Sequence, residues 1–302
     1  MARHVTPKKR ANKSKVQLPP KPFRHTDGFR AARALIGWFP PETAHTMLAA
    51  ADANGAVGQS HVNRAKAACA TAAARPPIDQ EGVVGNPPAG IGDHLAQLRV
   101  NLANFFVEGW RVCTVDIARL YAMQPTTFTD YAEDAAAMAV AGNMGSIASV
   151  TLPLSVNVEL AVAHDPRQRT WTLSTRNLNL QVLGPLEPRM GSDGCGVGYN
   201  ICAPNSVFQV AHFDGRFFCR DGHHRAYQLL RRGIATVPAL VREFDSFAEL
   251  APKASLLPES VLRGEKPPTL ADFLDESVSA DVHLPATRKA VVITATEIEL
   301  PV

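Results

Sequence analysis

The chain has 302 residues, 46% hydrophobic and 20% charged, with a formal net charge of +3. This is an ordinary balance for a globular protein with ample core material, and no run of eighteen apolar residues interrupts it, so no membrane partner is expected. The five cysteines, Cys69, Cys113, Cys195, Cys202 and Cys219, are scattered and odd in number. That favours free thiols and a cytoplasmic protein over a disulfide framework.

The charge is uneven. Residues 1–25 carry Arg3, Lys8, Lys9, Arg10, Lys13, Lys15, Lys21 and Arg24 and no acid; +3 less those eight leaves −5 for the remainder. This stretch reads as a disordered basic tail, a candidate arm for nucleic acid or an acidic partner.

Residues 26–92 read as an Ala-rich helical subdomain with a linker. Phe29, Ala32, Leu35 and Ile36 have helical spacing, Pro40-Pro41 opens a second helix through Ala51, and Ser60 caps a third that stops at Pro76-Pro77. Residues 76–92 are rich in Pro and Gly and read as linker.

Residues 93–245 read as the main α+β domain, a mixed sheet with helices. Asp93 caps a helix with Leu95, Leu98, Leu102, Phe105 and Phe106 on one face, ended by Gly109. Arg111–Met123 begins as a strand, and Thr129 or Asp130 caps an acidic helix over 131–141. From Ala148 to Gly184, Val150, Leu152 and Leu154, then Val156, Val158 and Leu160, then Leu178, Leu180 and Val182 alternate as strands, with Asp165-Pro166 in a hairpin turn. Gly191–Gly198, GSDGCGVG, reads as a mobile loop that could cradle phosphate or cover a site.

The stretch from Phe208 to Val241 parses as strand, turn, strand, helix, strand. Asp214-Gly215 is the hairpin turn, Asp221 caps a helix starting Gly222-His223-His224-Arg225, Gly233 ends it, and Thr236–Val241 is a buried strand. The helix start favours an anion through its free N–H groups. Gly222 admits a ligand to the backbone, and Arg225, His223 and His224 supply donors. Residues 246–302 read as short helices and a terminal strand, Arg288–Val302, that closes the sheet or adds to the edge of a second copy in a homodimer.

The run RDGHHRAYQLLRRGIATVPALV resembles the phosphate-binding segment of the ParB/sulfiredoxin-like superfamily, on Gly222, Arg225, Gly233, Val237 and Pro238. Val115-Asp116-Ile117, Gln124-Pro125 and the helix after them resemble the opening of the ParB-like nuclease domain. The resemblance implies that fold, with a β-rich insertion. It also implies a nucleotide triphosphate ligand, ATP or CTP, with Mg²⁺, held at Asp221, Gly222, His223, His224 and Arg225. His223 and His224 would be the acid–base groups of an NTP-dependent phosphotransferase or nucleotide hydrolase. Two alternatives stand beside it: a DNA-binding ParB-like protein using the basic tail, and a non-catalytic structural or interaction protein. Sulfiredoxins place their cysteine where this chain has His223, and Cys219 lies four residues upstream on a strand, so sulfinic-acid reduction is not expected. The segregation clamps carry an acidic-then-arginine pair where this chain has His223-His224.

Overall fold

In the computed structural model, residues 28–51, 56–155, 160–175, 180–192, 194–202, 206–250, 256–287 and 289–298 are described. The basic tail lies outside them. The described residues form two compact units, one from 26–157 and 204–287, the other from 158–203 and 288–302.

In chain order the strands and helices are β1 (Phe29–Ala34), α1 (Pro41–Ala51), α2 (Gln59–Ala74), α3 (Gly92–Asn101), α4 (Ala103–Val107), β2 (Arg111–Asp116), β3 (Tyr121–Ala122) and β4 (Thr126–Phe128). Then come α5 (Glu133–Ala137), α6 (Met144–Thr151), β5 (Ala161–Asp165), β6 (Thr170–Thr175), β7 (Gln181–Gly191), β8 (Gly194–Cys202), β9 (Gln209–Phe213) and β10 (Arg216–Asp221). They end with α7 (His223–Arg231), β11 (Thr236–Glu243), α8 (Phe247–Leu250), α9 (Glu259–Leu262), β12 (Ala280–Pro285) and β13 (Lys289–Thr294), with short 3-10 turns at Ile36–Trp38 and Leu270–Leu274. The class is α+β.

The larger unit is built on a five-stranded sheet of order β2-β11-β9-β10-β3, in which β11 runs parallel to β9 and β10 parallel to β3. Period two divides its side chains between two cores. Cys113, Val115, Val237, Ala239, Val210 and Cys219 join Ala226 and Leu229 of α7 and Ile147 and Val150 of α6. Trp110, Leu240, Ala211, Phe218 and Tyr121 pack on the opposite core with Leu98 of α3 and Leu250. Pro238 lacks a ladder donor, and β11 tolerates it because pairing with β9 begins only at Leu240.

The hairpin reading holds in detail. Asp214 and Gly215 have φ of 50° and 72°, both positive, as a two-residue turn matched to the twist of β9 and β10 requires. Gly233 has φ of 73° after α7.

Several sequence expectations are corrected. Phe29–Ala34 is not helical but the middle strand of the sheet β12-β1-β4. Ladder bonds on both edges outweigh its alanine content, and Ala32 and Ala34 are small enough for α1 and α2 to pack closely above them. These pairings place 28–92 in the same unit as the main sheet, not in a separate subdomain.

The acidic helix expected over 131–141 shrinks to α5. Val150 lies in α6, not a strand: the Asn143 side chain accepts from Ser146 N at 3.1 Å, and Ile147, Val150 and Thr151 then share a buried face. Asp221 does not cap α7; the cap residue is Gly222, with no side-chain cap bond, and Asp221 ends β10. Val156, Val158 and Leu178 lie outside the described residues.

In the smaller unit β5 and β6 are joined by the expected turn, and β13 pairs antiparallel with β6. The glycine-rich run is not a loop: its residues 194–198 are strand β8, paired with β7 in an antiparallel ribbon. No helix among the described residues is long and apolar enough to cross a membrane.

Candidate functional site

The start of α7 is built by packing. Gly222 has φ of 112°, a left-handed value that suits glycine, and a Cβ there would lie 2.5 Å from the Phe208 ring. The glycine therefore seats the helix start on Phe208, the residue ahead of β9, and its bareness is filled by that aromatic ring.

The two histidines turn inward. His223 is 1% exposed, and its Nε2 accepts from the backbone N–H groups of Met123 at 3.0 Å and Gln124 at 3.1 Å. The ring proton is left to Nδ1, 3.7 Å from Cys219 Sγ. His224 accepts at Nδ1 from Phe128 N at 3.0 Å, and Thr127 Oγ1 is 2.8 Å from the same atom. Its ring stacks on Phe128 and meets Tyr131. Burial, with the nearby Arg30 and Arg225 cations adding to it, lowers the His224 pKa to about 4. Both rings pin the segment after β3 to the first turn of α7, and as acid–base groups they would have to give up these bonds.

Arg225 is 8% exposed. Its Nη1 donates to the carbonyls of Val150 and Thr151, each at 3.3 Å, and of Ser206 at 2.6 Å; Nη2 donates to Ser206 Oγ at 2.9 Å. Ser206 Oγ also lies 3.1 Å from both carboxylate oxygens of Asp221, which is 4.0 Å from the guanidinium. Backbone N–H of Phe208 joins Thr151 O at 2.7 Å. Residues 150–151 and 206–208 stand on either side of the chain's excursion into the smaller unit, which begins after residue 157 and ends before residue 204. Arg225 thus fastens the chain on both sides of that excursion to α7. Burial lowers its pKa, offset chiefly by Asp221.

A cleft of about 80 Å³ opens beside the helix start, lined by Met123, Gln124, Gln209, Arg220 and Asp221 with Leu250 and Leu256. Arg220 was not singled out in the sequence. Its guanidinium lies over the rings of Trp110 and Phe244 at 5.7 and 5.5 Å, and Nη1 donates to Gln209 Oε1 at 2.7 Å. Its buried Nε has no hydrogen-bond partner among the described residues. The available sequence signal was the arginine's place two residues after Phe218, on the same sheet face.

Of the five residues expected to form the site, the structure brings Asp221 to this cleft and seats Gly222 against Phe208, while His223, His224 and Arg225 turn their polar atoms to main-chain groups and to the side chains of Cys219, Thr127 and Ser206. No group of three or more His, Cys, Asp or Glu side chains is disposed to hold a metal ion among the described residues.

No family model, curated protein or solved structure matches the chain.

Proposed function

We propose that the chain binds a phosphate-bearing ligand, a nucleotide of the ATP or CTP kind, on a domain of ParB/sulfiredoxin-like fold. The phosphate group enters the cleft beside Asp221, and Arg220 is the cation that meets it. One observation carries the reading: a guanidinium with an unpartnered Nε borders a cleft at the N-terminal end of α7, where helix N–H groups favour an anion. The strand–turn–strand–helix–strand order of β9, β10, α7 and β11 agrees with the resemblance on which the nucleotide rests. The cleft is far below the ~300–1,000 Å³ of sites that enclose a whole small molecule, so it takes a phosphate group and leaves base and sugar outside.

His223, His224 and Arg225 serve by holding the first turn in place. Asp221 is the carboxylate that would hold Mg²⁺, since Mg²⁺ at nucleotides takes one or two carboxylates with phosphate oxygens and water. The ion would screen Asp221 from the phosphate.

Calorimetric titration of the whole chain with ATP, CTP and inorganic phosphate, each with Mg²⁺, tests the proposal. Saturable binding is expected, weakened roughly ten- to a hundredfold by Arg220→Gln, the loss of about one charge-assisted hydrogen bond at ~1.5–3 kcal/mol. Absence of binding to all three, or undiminished affinity in a folded Arg220→Gln protein, overturns it.

A further inference from the structure

The three-stranded sheet of the smaller unit has the order β13-β6-β5, so among the described residues β13 is paired on one side only. Three strands with an apolar face are close to the least that is stable alone. Register shows which face that is. Val162 lies opposite Leu173 and His164 opposite Trp171, and Val291 and Ile293 of β13 continue the same two rows. Val162 is 46% exposed and Trp171 39%, while Leu173, Val291 and Ile293 are half-buried.

The free edge of β13 carries none of the usual sequence guards. Sheets blunt an open edge with proline, charge or a bulge. Ala290–Thr294 has no proline and no charge, and it pairs with β6 without a register shift. One contact fixes the direction of its backbone groups: Ala295 N donates to Arg169 O at 3.1 Å, on the β6 side. Backbone groups alternate sides along a strand, so Val291 and Ile293 also face β6. Ala290, Val292, Thr294 and Thr296 therefore turn their N–H and C=O groups outward.

A second β13, running antiparallel, matches this edge in a definite register. Outward-facing residues must meet outward-facing ones, which lets Ile293 stand opposite its own copy, Val292 opposite Thr294 and Ala290 opposite Thr296. That register sets Lys289 opposite Glu297, twice by symmetry, at non-hydrogen-bonded positions where side chains come closest. Both are exposed, and Glu297 spends one oxygen on Arg169 at 2.7 Å. The same parity puts apolar face beside apolar face, with Val291 next to Ala295 and Ile293 next to Ile293. Pairing β5 with itself about Ala163 would set Asp165 opposite Ala161 and match no charge.

We propose that the chain forms a two-fold dimer in which β13 pairs antiparallel with β13 of a second copy, centred on Ile293. The two three-stranded sheets become one, with a continuous apolar face, and β13 lengthens from Thr294 to Glu297.

Sedimentation velocity of the whole chain from about 1 to 100 µM tests this, a range that spans ordinary reversible dimers. A concentration-dependent dimer is expected. Val292→Pro removes an outward N–H and no bond to β6, so it should weaken the dimer at least about tenfold while the protein stays folded. A second test fixes the register and does not depend on that variant. In a Cys195→Ser background, which removes the exposed thiol, Ile293→Cys brings the two cysteine Cα atoms to ~4.5 Å, within disulfide range, whereas Val291→Cys leaves them ~14 Å apart. Mild oxidation should link the first variant into a covalent dimer and leave the second unlinked. A monomer at every concentration, an undiminished dimer in folded Val292→Pro, or equal linking of the two cysteine variants overturns the proposal.

Discussion

Arg225→Ala is the most informative perturbation of the α7 start, because a ligand-facing arginine and a structural one predict opposite results. The substitution removes the donors of four contacts, of which those to Ser206 O at 2.6 Å and Ser206 Oγ at 2.9 Å are well formed. Hydrogen bonds from a charged group are worth ~1.5–3 kcal/mol each, and the two 3.3 Å contacts, sharing one nitrogen, add less. Against this stands relief from desolvating a guanidinium whose nearest carboxylate is 4.0 Å away. Breaking a buried charged constellation by deleting one member costs ~3–5 kcal/mol overall, and we expect that range. It is a third or more of a typical domain's ~5–15 kcal/mol. Arg225→Lys, which keeps the charge but reaches fewer acceptors, should lose less. Urea unfolding of the three proteins measures this, with the midpoint of Arg225→Ala falling by more than ~1 M at unchanged slope. A loss below ~1 kcal/mol would refute the reasoning, and would return Arg225 to the role of a ligand-facing cation suggested by its sequence position.

Two further outcomes follow from the same site. Gly222→Ala combines a left-handed φ of 112° with a Cβ 2.5 Å from the Phe208 ring, so it should cost ~3 kcal/mol or more by urea unfolding; a cost under ~1 kcal/mol would show that Phe208 moves aside freely. His224 is neutral when folded and protonates near pH 4, whereas its unfolded value is the ordinary 6.5, so the unfolded chain binds the extra proton between the two. Its contribution is complete above about pH 6.5 and declines as pH falls toward 4, by roughly 2–3 kcal/mol after allowing for the ring's partial exposure. Stability curves at several pH values, compared with His224→Gln, check this; identical slopes in both proteins over that window would remove His224 as the cause.

Local order was legible wherever short-range chemistry is decisive. Asp214-Gly215 demands a tight hairpin, Gly233 ends a helix, Pro41 opens one, and the unbroken apolar run to Val241 marks a strand buried on both faces. None of these needs a distant partner. Phe29–Ala34 shows the opposite case, since its alanines suit a helix in isolation and become a strand only because β12 and β4, from residues 280–285 and 126–128, flank it. The run around Val150 also fitted two periods, and the Asn143 cap with the buried face of Ile147, Val150 and Thr151 decided for a helix.

The same division runs through the candidate site. The sequence determined that a glycine, two histidines and an arginine open α7, but the direction of each side chain was set from outside the helix. The N–H groups of Met123, Gln124 and Phe128 claim the histidine lone pairs, and the carbonyls of Val150, Thr151 and Ser206 claim Arg225. Those partners lie 19 to 100 residues away in sequence. A buried backbone group must find a partner, so polar side chains that look poised for a ligand in one dimension are taken by main chain in three. Arg220, unremarkable on its strand, keeps a donor beside the cleft that has no partner among the described residues, for the converse reason: the Trp110 and Phe244 rings that pack against its guanidinium offer its Nε no acceptor.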